Sequence, residues 1–354
     1  MRAPLAGLRV EYLPLHAPEL GYPQNVLGVA VFAGSDSASP FAGDIPWIPI
    51  RLPVLGAHPA VCEVWRAGLP MRAGVRGSLH YRHNEQLLFG CIRMAEPLSQ
   101  EGARAGLPRT AETAGAVSDT SFFATTERVY REIFAAVQEL GFPHLVRVWN
   151  YLAAINVVSQ GLERYRQFNS ARRAALRASG QTTSGNVPAA CALGSPDDSP
   201  LAVYFLASRA EPAVIENPRQ ISAYEYPAQY GPKPAFSRAS ALRSEAATLL
   251  FISGTASIVG HETRHVGDVA AQTRETLINI ESLLEEANRL CTGATFDIRT
   301  LAYKVYVRNA EDQPAVQAQL AAVLGPDAKL LFLQADVCRQ ELLVEIEAVG
   351  CSTG

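Results

Sequence analysis

The second half of this chain repeats the order of elements predicted for the first, and that repetition limits the folds open to it. Phe123, Val129, Ile133, Phe134, Val137 and Leu140 recur at helical spacing and predict a helix over 122–140, stopped by Gly141. A strand at 145–152, a helix at 162–178 ended by Gly180 and a strand at 201–206 follow. The second half offers a strand at 249–259, a helix at 268–290 with Asp268 as N-cap, and a strand at 298–307. A helix at 313–324, ended by Gly325, and two closing strands complete it. LLFGCIRM at 87–94 resembles LLFISGTA at 249–256, and LAVYFLAS at 201–208 resembles LLVEIEAV at 342–349. This pattern predicts an α+β protein of two copies of one unit, split as 1–200 and 201–354. Each copy has a mixed sheet with helices packed on one face.

The earlier residues are less patterned. Residues 1–19 are expected to be only partly ordered, with strands near 26–32, 45–54 and 61–67. A hairpin is expected over 78–94, with His83-Asn84-Glu85 at its turn. An Ala/Gly/Thr-rich loop spans 104–119, and Thr120 or Ser121 caps the first long helix.

The closing stretch, KLLFLQADVCRQELLVEIEAV at 329–349, reads as strand, polar bend, strand. By the period of two, Glu345 shares a face with Leu343, while Leu342, Val344 and Ile346 share the other. A carboxylate in an otherwise apolar strand is costly unless it is paired, hydrated or used. Spacing alone favours an exposed edge-strand Glu345, with Glu347 as another candidate for exposure.

A net charge of −3 argues against a nucleic-acid partner or an acidic membrane surface. No apolar run is long enough to span a bilayer. The start shows no basic segment followed by an apolar run, so no signal peptide is expected. Six cysteines at 62, 91, 191, 291, 338 and 351 form no CxxC pair, which fits reduced thiols in a cytoplasmic protein. No GxGxxG, P-loop, GxSxG or HExxH motif has a convincing context, so no cofactor and no metal is expected. His261 and His265 lie four apart in GHETRHVGD, but Gly260 and Gly267 make this a loop and favour a structural role.

Two clusters are suited to an anion, because guanidinium forks match carboxylates. One is RVWNYLAAIN with GLERYRQFNSARR, bringing Arg147, Asn150, Tyr151, Tyr165, Arg166 and Arg172 close in sequence. The other is SAYEYPAQYGPKPAFSRA, with Tyr224, Tyr226, Tyr230 and Arg238. The bland readings are solvated helix charges for the first and a Pro-stiffened surface loop for the second. Gly254 either permits a bulge or leaves room for a ligand near the backbone. Cys338 reads as a small buried hydrophobe rather than a nucleophile.

Taken together, RVWNYLAAIN, GLERYRQFNSARR, ENP…YPAQYGPKPAFSRA, FISGTASIVGHETRHVGDV and DVCRQELLVEIE resemble the chorismatases over about residues 140–349. The C-terminal half alone also resembles the small RidA/YjgF proteins. The resemblance implies two RidA/YjgF-like (chorismate-mutase-like) units, the first divergent and the second carrying a catalytic Glu345. It implies chorismate as the small-molecule substrate. Gly254 and Cys338, where the hydrolytic branch looks like Ala, resemble the hydroxybenzoate-forming branches, of which the one giving 3-hydroxybenzoate and pyruvate is the leading expectation. Arg172, Tyr165, Tyr226, Tyr230, Arg238, Arg147 and Asn150 are then expected to bind the substrate. The alternatives are the branch that also gives 4-hydroxybenzoate, the hydrolase giving a dihydroxycyclohexadiene carboxylate, a RidA-like imine deaminase and a non-catalytic binding module. A monomer is expected, because the duplicated unit can supply internally the interface that small homologues make between subunits.

Overall fold

The computed structural model describes residues 8–21, 23–39, 41, 43–68, 70–96, 121–244 and 247–353. The expected loop at 104–119, Thr120 and the first seven residues lie outside them. Four strands open the chain: β1 (Arg9–Pro14), β2 (Val26–Ala33), β3 (Trp47–Arg51) and β4 (Ala60–Arg66). They form one sheet in the order β1-β4-β2-β3. Residues 9–14 therefore carry a regular strand where only partial order was expected, because β1 pairs antiparallel with β4 along its whole length.

The first unit contains β5 (Arg72–Arg76), β6 (Leu79–His83), β7 (Leu87–Met94), α1 (Ser121–Glu139), β8 (His144–Ala153), a short ribbon of β9 (Val158–Ser159) and β10 (Leu162–Glu163), α2 (Arg164–Ala178), β11 (Ala189–Ser195) and β12 (Leu201–Ser208). Its sheet runs β5-β6-β7-β12-β8-β11, with only β8 and β11 parallel. The second unit contains β13 (Ala213–Ile215), β14 (Ala239–Arg243), β15 (Thr248–Thr255), the ribbon β16 (Ile258–Val259) and β17 (Glu262–Thr263), α3 (Val269–Leu290), β18 (Ala302–Val307), α4 (Gln313–Leu324), β19 (Lys329–Gln334) and β20 (Val344–Ser352). Its sheet runs β13-β14-β15-β20-β18-β19, with only β18 and β19 parallel.

The two orders are the same, strand for strand, so the duplication read from the sequence is present in the topology. β12 pairs with β7 and β8 and closes the first sheet. A strand inserted between two others belongs to the sheet whose hydrogen bonds it completes.

Each unit places its two long helices on one face of its sheet. Phe134, Val137 and Phe168 pack against Val148 and Phe205, and Ile280, Leu283 and Leu320 pack against Val305, Val344 and Ile346. Asp268 caps α3, its side chain accepting from the Ala271 N–H at 2.9 Å. The helix-free faces meet in a third cluster, where Phe32 and Trp65 of the opening sheet join Trp149, Tyr204, Phe251 and Tyr306. β20 lies between β15 and β18, so Glu345 sits on a central strand and not an edge.

Candidate active site

A cavity of about 250 Å³ opens where α2 of the first unit meets β15, β20 and the loops of the second. Glu345 and Gly254 form its floor, Tyr165 and Asn169 come from α2, and Tyr226, Tyr230 and Arg238 come from the Tyr/Pro-rich loop. Cys338 and Arg339 close the far side. A small inner recess continues behind Glu345 and reaches Arg172 and Cys191. On α2, positions 165, 169 and 172 are spaced i, i+4, i+7, which aligns them on the face toward the cavity.

Glu345 is 4% exposed. Val344 and Ile346, on either side of it, point into the helix-covered core, so the pleat turns Glu345 toward the first unit. Burial, reinforced by the charge of Glu347, pushes its carboxyl up to about 8, against the opposing cations of Arg147 and Arg238. It is therefore a neutral acid at pH 7, able to give up a proton.

Gly254 explains how the carboxyl fits. The β15–β20 register shifts between Ile252 and Thr255, so a bulge sits at this glycine. A Cβ at position 254 would stand 1.9 Å from Glu345 Oε1, 2.7 Å from its Cδ and 3.1 Å from Cys191 Cβ. The bulge reading of this glycine holds, and the group that occupies the space a side chain would fill is the Glu345 carboxyl.

Four guanidinium groups line the cavity or its recess, those of Arg166, Arg172, Arg238 and Arg339, and Arg172 Nε, Arg238 Nε and Arg339 Nη2 are each buried with no hydrogen-bond partner among the described residues. Arg172 stacks over the Tyr130 ring at 5.2 Å. Arg238 donates to the Tyr226 hydroxyl at 2.8 Å and to the Ile221 carbonyl at 2.7 Å. Arg339 lies over Tyr230 at 4.5 Å and Tyr226 at 5.4 Å, with Nη1 donating to the His261 carbonyl at 2.9 Å. Burial holds the Tyr165 hydroxyl well above its ordinary value, so it stays a donor. The Cys338 thiol is pushed up to about 12 by burial and then by the charge of Glu345, and it is no thiolate.

Seven of the ten residues named from the sequence come together here: Glu345, Cys338, Gly254, Tyr165, Tyr226, Tyr230 and Arg238. Arg172 joins them in the recess. Arg147 and Asn150 do not reach the cavity. Arg147 is buried against Glu347, and Asn150, on the opposite face of β8, accepts from Tyr130 at 2.5 Å and donates to the Cys191 carbonyl at 2.8 Å. Alternation along β8 turns them to opposite sides, which closeness in sequence does not show. Glu347 is likewise not exposed: it is 3% exposed and ion-paired. Arg339 and Asn169 were not singled out, although Arg339 lies within DVCRQE and Asn169 follows Tyr165 by one helical turn. His261 stacks edge-on against Tyr230, and His265 pairs with Glu275, so these two are structural.

A family model described as chorismatase FkbO/Hyg5-like, N-terminal, matches residues 63–207. A 3-hydroxybenzoate synthase of Streptomyces hygroscopicus is 35% identical over 336 residues, 92% of each chain. A chorismatase of Streptomyces rapamycinicus is 34% identical over 359 residues, 99% of each. A crystal structure of a chorismatase superposes with a TM-score of 0.83 at 30% identity, covering 99% of both chains.

Proposed function

The chain belongs to the chorismatase family, and from that premise we propose that the cavity above Glu345 converts chorismate to 3-hydroxybenzoate and pyruvate. The observation that carries this reading is a buried neutral carboxyl at the floor of a cavity lined by unpartnered guanidinium donors. Chorismate is a dicarboxylate with an enolpyruvyl ether. Its two carboxylates suit Arg172, Arg238 and Arg339, with Tyr226, Tyr230 and Tyr165 as hydroxyl partners. The ring is then fixed against the acid.

Glu345 gives its proton to the enol ether, and protonation makes the ether bond to the ring labile. 3-Hydroxybenzoate and pyruvate together hold the atoms of chorismate, so the route consumes no water. As pyruvate leaves with the ether oxygen, the ring 4-hydroxyl oxygen bonds to the carbon so vacated in place of water, and its proton goes back to the Glu345 carboxylate. That epoxide then opens at carbon 4, and the hydrogen on carbon 3 leaves as a proton that the freed oxygen takes up, which gives the phenol. The apolar Ala256 and Ile258 beside Gly254 support this by offering water no partner on that side of the cavity. Gly254 lets the acid sit low in the floor, and Cys338 shapes the wall beside the ring.

Incubation with chorismate, with pyruvate followed by a coupled assay and the aromatic product identified by chromatography, tests this reading. Equimolar pyruvate and 3-hydroxybenzoate are expected. Release of a dihydroxycyclohexadiene carboxylate, or a mixture with 4-hydroxybenzoate, assigns a different branch. Absence of pyruvate removes the reading altogether.

A further inference from the structure

Beneath the cavity lies a buried charge cluster that the reaction above does not use. Glu347 follows Glu345 by two residues on β20, so the side chains share a face about 7 Å apart along the strand. Glu347 is ion-paired with Arg147 and accepts from Trp149 Nε1 at 2.8 Å. Lys304 Nζ sits 2.7 Å from Glu347 Oε1 and 2.6 Å from Glu63 Oε2, and donates to the Tyr204 hydroxyl at 2.8 Å. Glu63 also accepts from Trp65 Nε1 at 2.7 Å and Tyr204 at 3.0 Å. All four charged residues are at most 3% exposed. They draw one strand from the opening sheet and one or two from each six-stranded sheet. Burying four charges is costly, and well-packed apolar residues commonly serve stability as well.

We propose that Glu347, clamped as a carboxylate by Arg147 and Lys304, is a positioning residue that keeps the Glu345 carboxyl in its acid form. The proposal rests on the reading of Glu345 as the proton donor. An anion fixed one pleat away disfavours a second anion on the same face. Burial pushes Glu347 up, but the Lys304 and Arg147 cations outweigh it and hold it below the usual carboxylate range. Of the two carboxyls, the one facing the cavity is thus the one that holds a proton.

Other groups face Glu345 from every packed element. Arg238 in the loop before β14 and Arg147 on β8 pull toward ionisation. Arg172 on α2 shares the recess. Tyr165 on α2, Cys191 on β11, Tyr151 on β8, Tyr306 on β18 and Cys338 in the bend are all raised by burial and stay uncharged in the working range. Glu347 is the anion that outlasts them.

Two variants and one titration test this. Glu347→Gln is expected to move the alkaline limb of kcat/KM acidward by about one to two pH units. Glu63→Gln removes the other buried carboxylate and leaves both Lys304 and Arg147 on Glu347, and its limb is expected to stay within about 0.3 units of the parent. A merely structural cluster would lower both rates without separating the limbs. Carbon-13 titration of glutamate carboxyls in the unmutated enzyme, assigned with Glu345→Gln, needs neither chorismate nor a folded Glu347→Gln. It should show Glu345 titrating above pH 7 and Glu347 still ionised at pH 5. An unmoved limb in Glu347→Gln, an equal shift in Glu63→Gln, or a Glu347 protonated at neutrality overturns the proposal. Failure to release pyruvate would sink the earlier reading and leave the titration standing.

Discussion

Replacing Glu345 with Gln should abolish turnover and stabilise the protein, and the second effect can be worked from the structure. The folded carboxyl titrates at about 8 against 4.5 for the unperturbed group. A carboxyl raised on folding contributes most stability below pH 4.5, and that contribution is lost as the pH climbs through 8. Above that the native state carries a buried anion that the unfolded chain holds in water. The shift spans 8 minus 4.5, or 3.5 pH units, which corresponds to about 5 kcal/mol once both states are ionised. Gln removes the titration. The gain of Glu345→Gln over the parent should therefore grow from about 1 kcal/mol at pH 5 to about 4 kcal/mol at pH 8. An amide left without partners in the same slot would subtract a constant of about 1–3 kcal/mol at every pH, so the slope is the diagnostic. Equilibrium urea unfolding of both proteins at pH 5, 6, 7 and 8 measures it. A difference flat within about 0.5 kcal/mol across that range would show that Glu345 is not raised, and the acid role would fall with it.

The same Glu345→Gln protein should release pyruvate at least about 100-fold more slowly than the parent, measured under saturating chorismate. Gly254→Ala must displace the Glu345 carboxyl, since its Cβ would stand 1.9 Å from Oε1; kcat should fall by about 10- to 100-fold. Combined with Cys338→Ala, it should shift product toward the dihydroxycyclohexadiene carboxylate, read by chromatography; an unchanged ratio removes both positions from product choice. Arg172→Met should raise KM for chorismate by about 10-fold or more, with the thermal midpoint near the parent's. Arg308 donates to Asp336 and to the carbonyls of Val337, Arg339 and Leu342 at 2.9–3.0 Å, so it pins the bend that carries Cys338 and Arg339. Arg308→Ala should cut kcat/KM by about 100-fold and speed limited proteolysis within 335–343.

The element order, the helix boundaries and the duplication were legible because they are local. Helical spacing in 122–140 and 268–290, the capping Asp268 and the stop glycines act over a few residues. So were most of the cavity residues, since the Tyr/Pro-rich loop and the α2 face each deliver several side chains from one short stretch. What failed was the placing of Arg147, Asn150 and Glu347, whose partners come from elsewhere in the chain. Arg147 and Asn150 sit in the same motif as Tyr165 and Arg172, yet β8 turns one toward Glu347 and the other under α1. Glu347 looked free to face solvent until Lys304, 43 positions earlier by number, and Arg147, 200 residues away, were brought to it.

The sequence by itself determined which segments are helices and strands, that one unit occurs twice, and which short stretches carry the acid, the guanidinium groups and the phenols. Only the tertiary structure decided that β12 closes the first sheet, that β20 lies at the centre of the second, and that Glu345 is buried beside a clamped anion. The physical reason is range. Backbone preference and side-chain periodicity are written within a turn or a strand, whereas burial and charge at a carboxyl depend on what distant strands place around it.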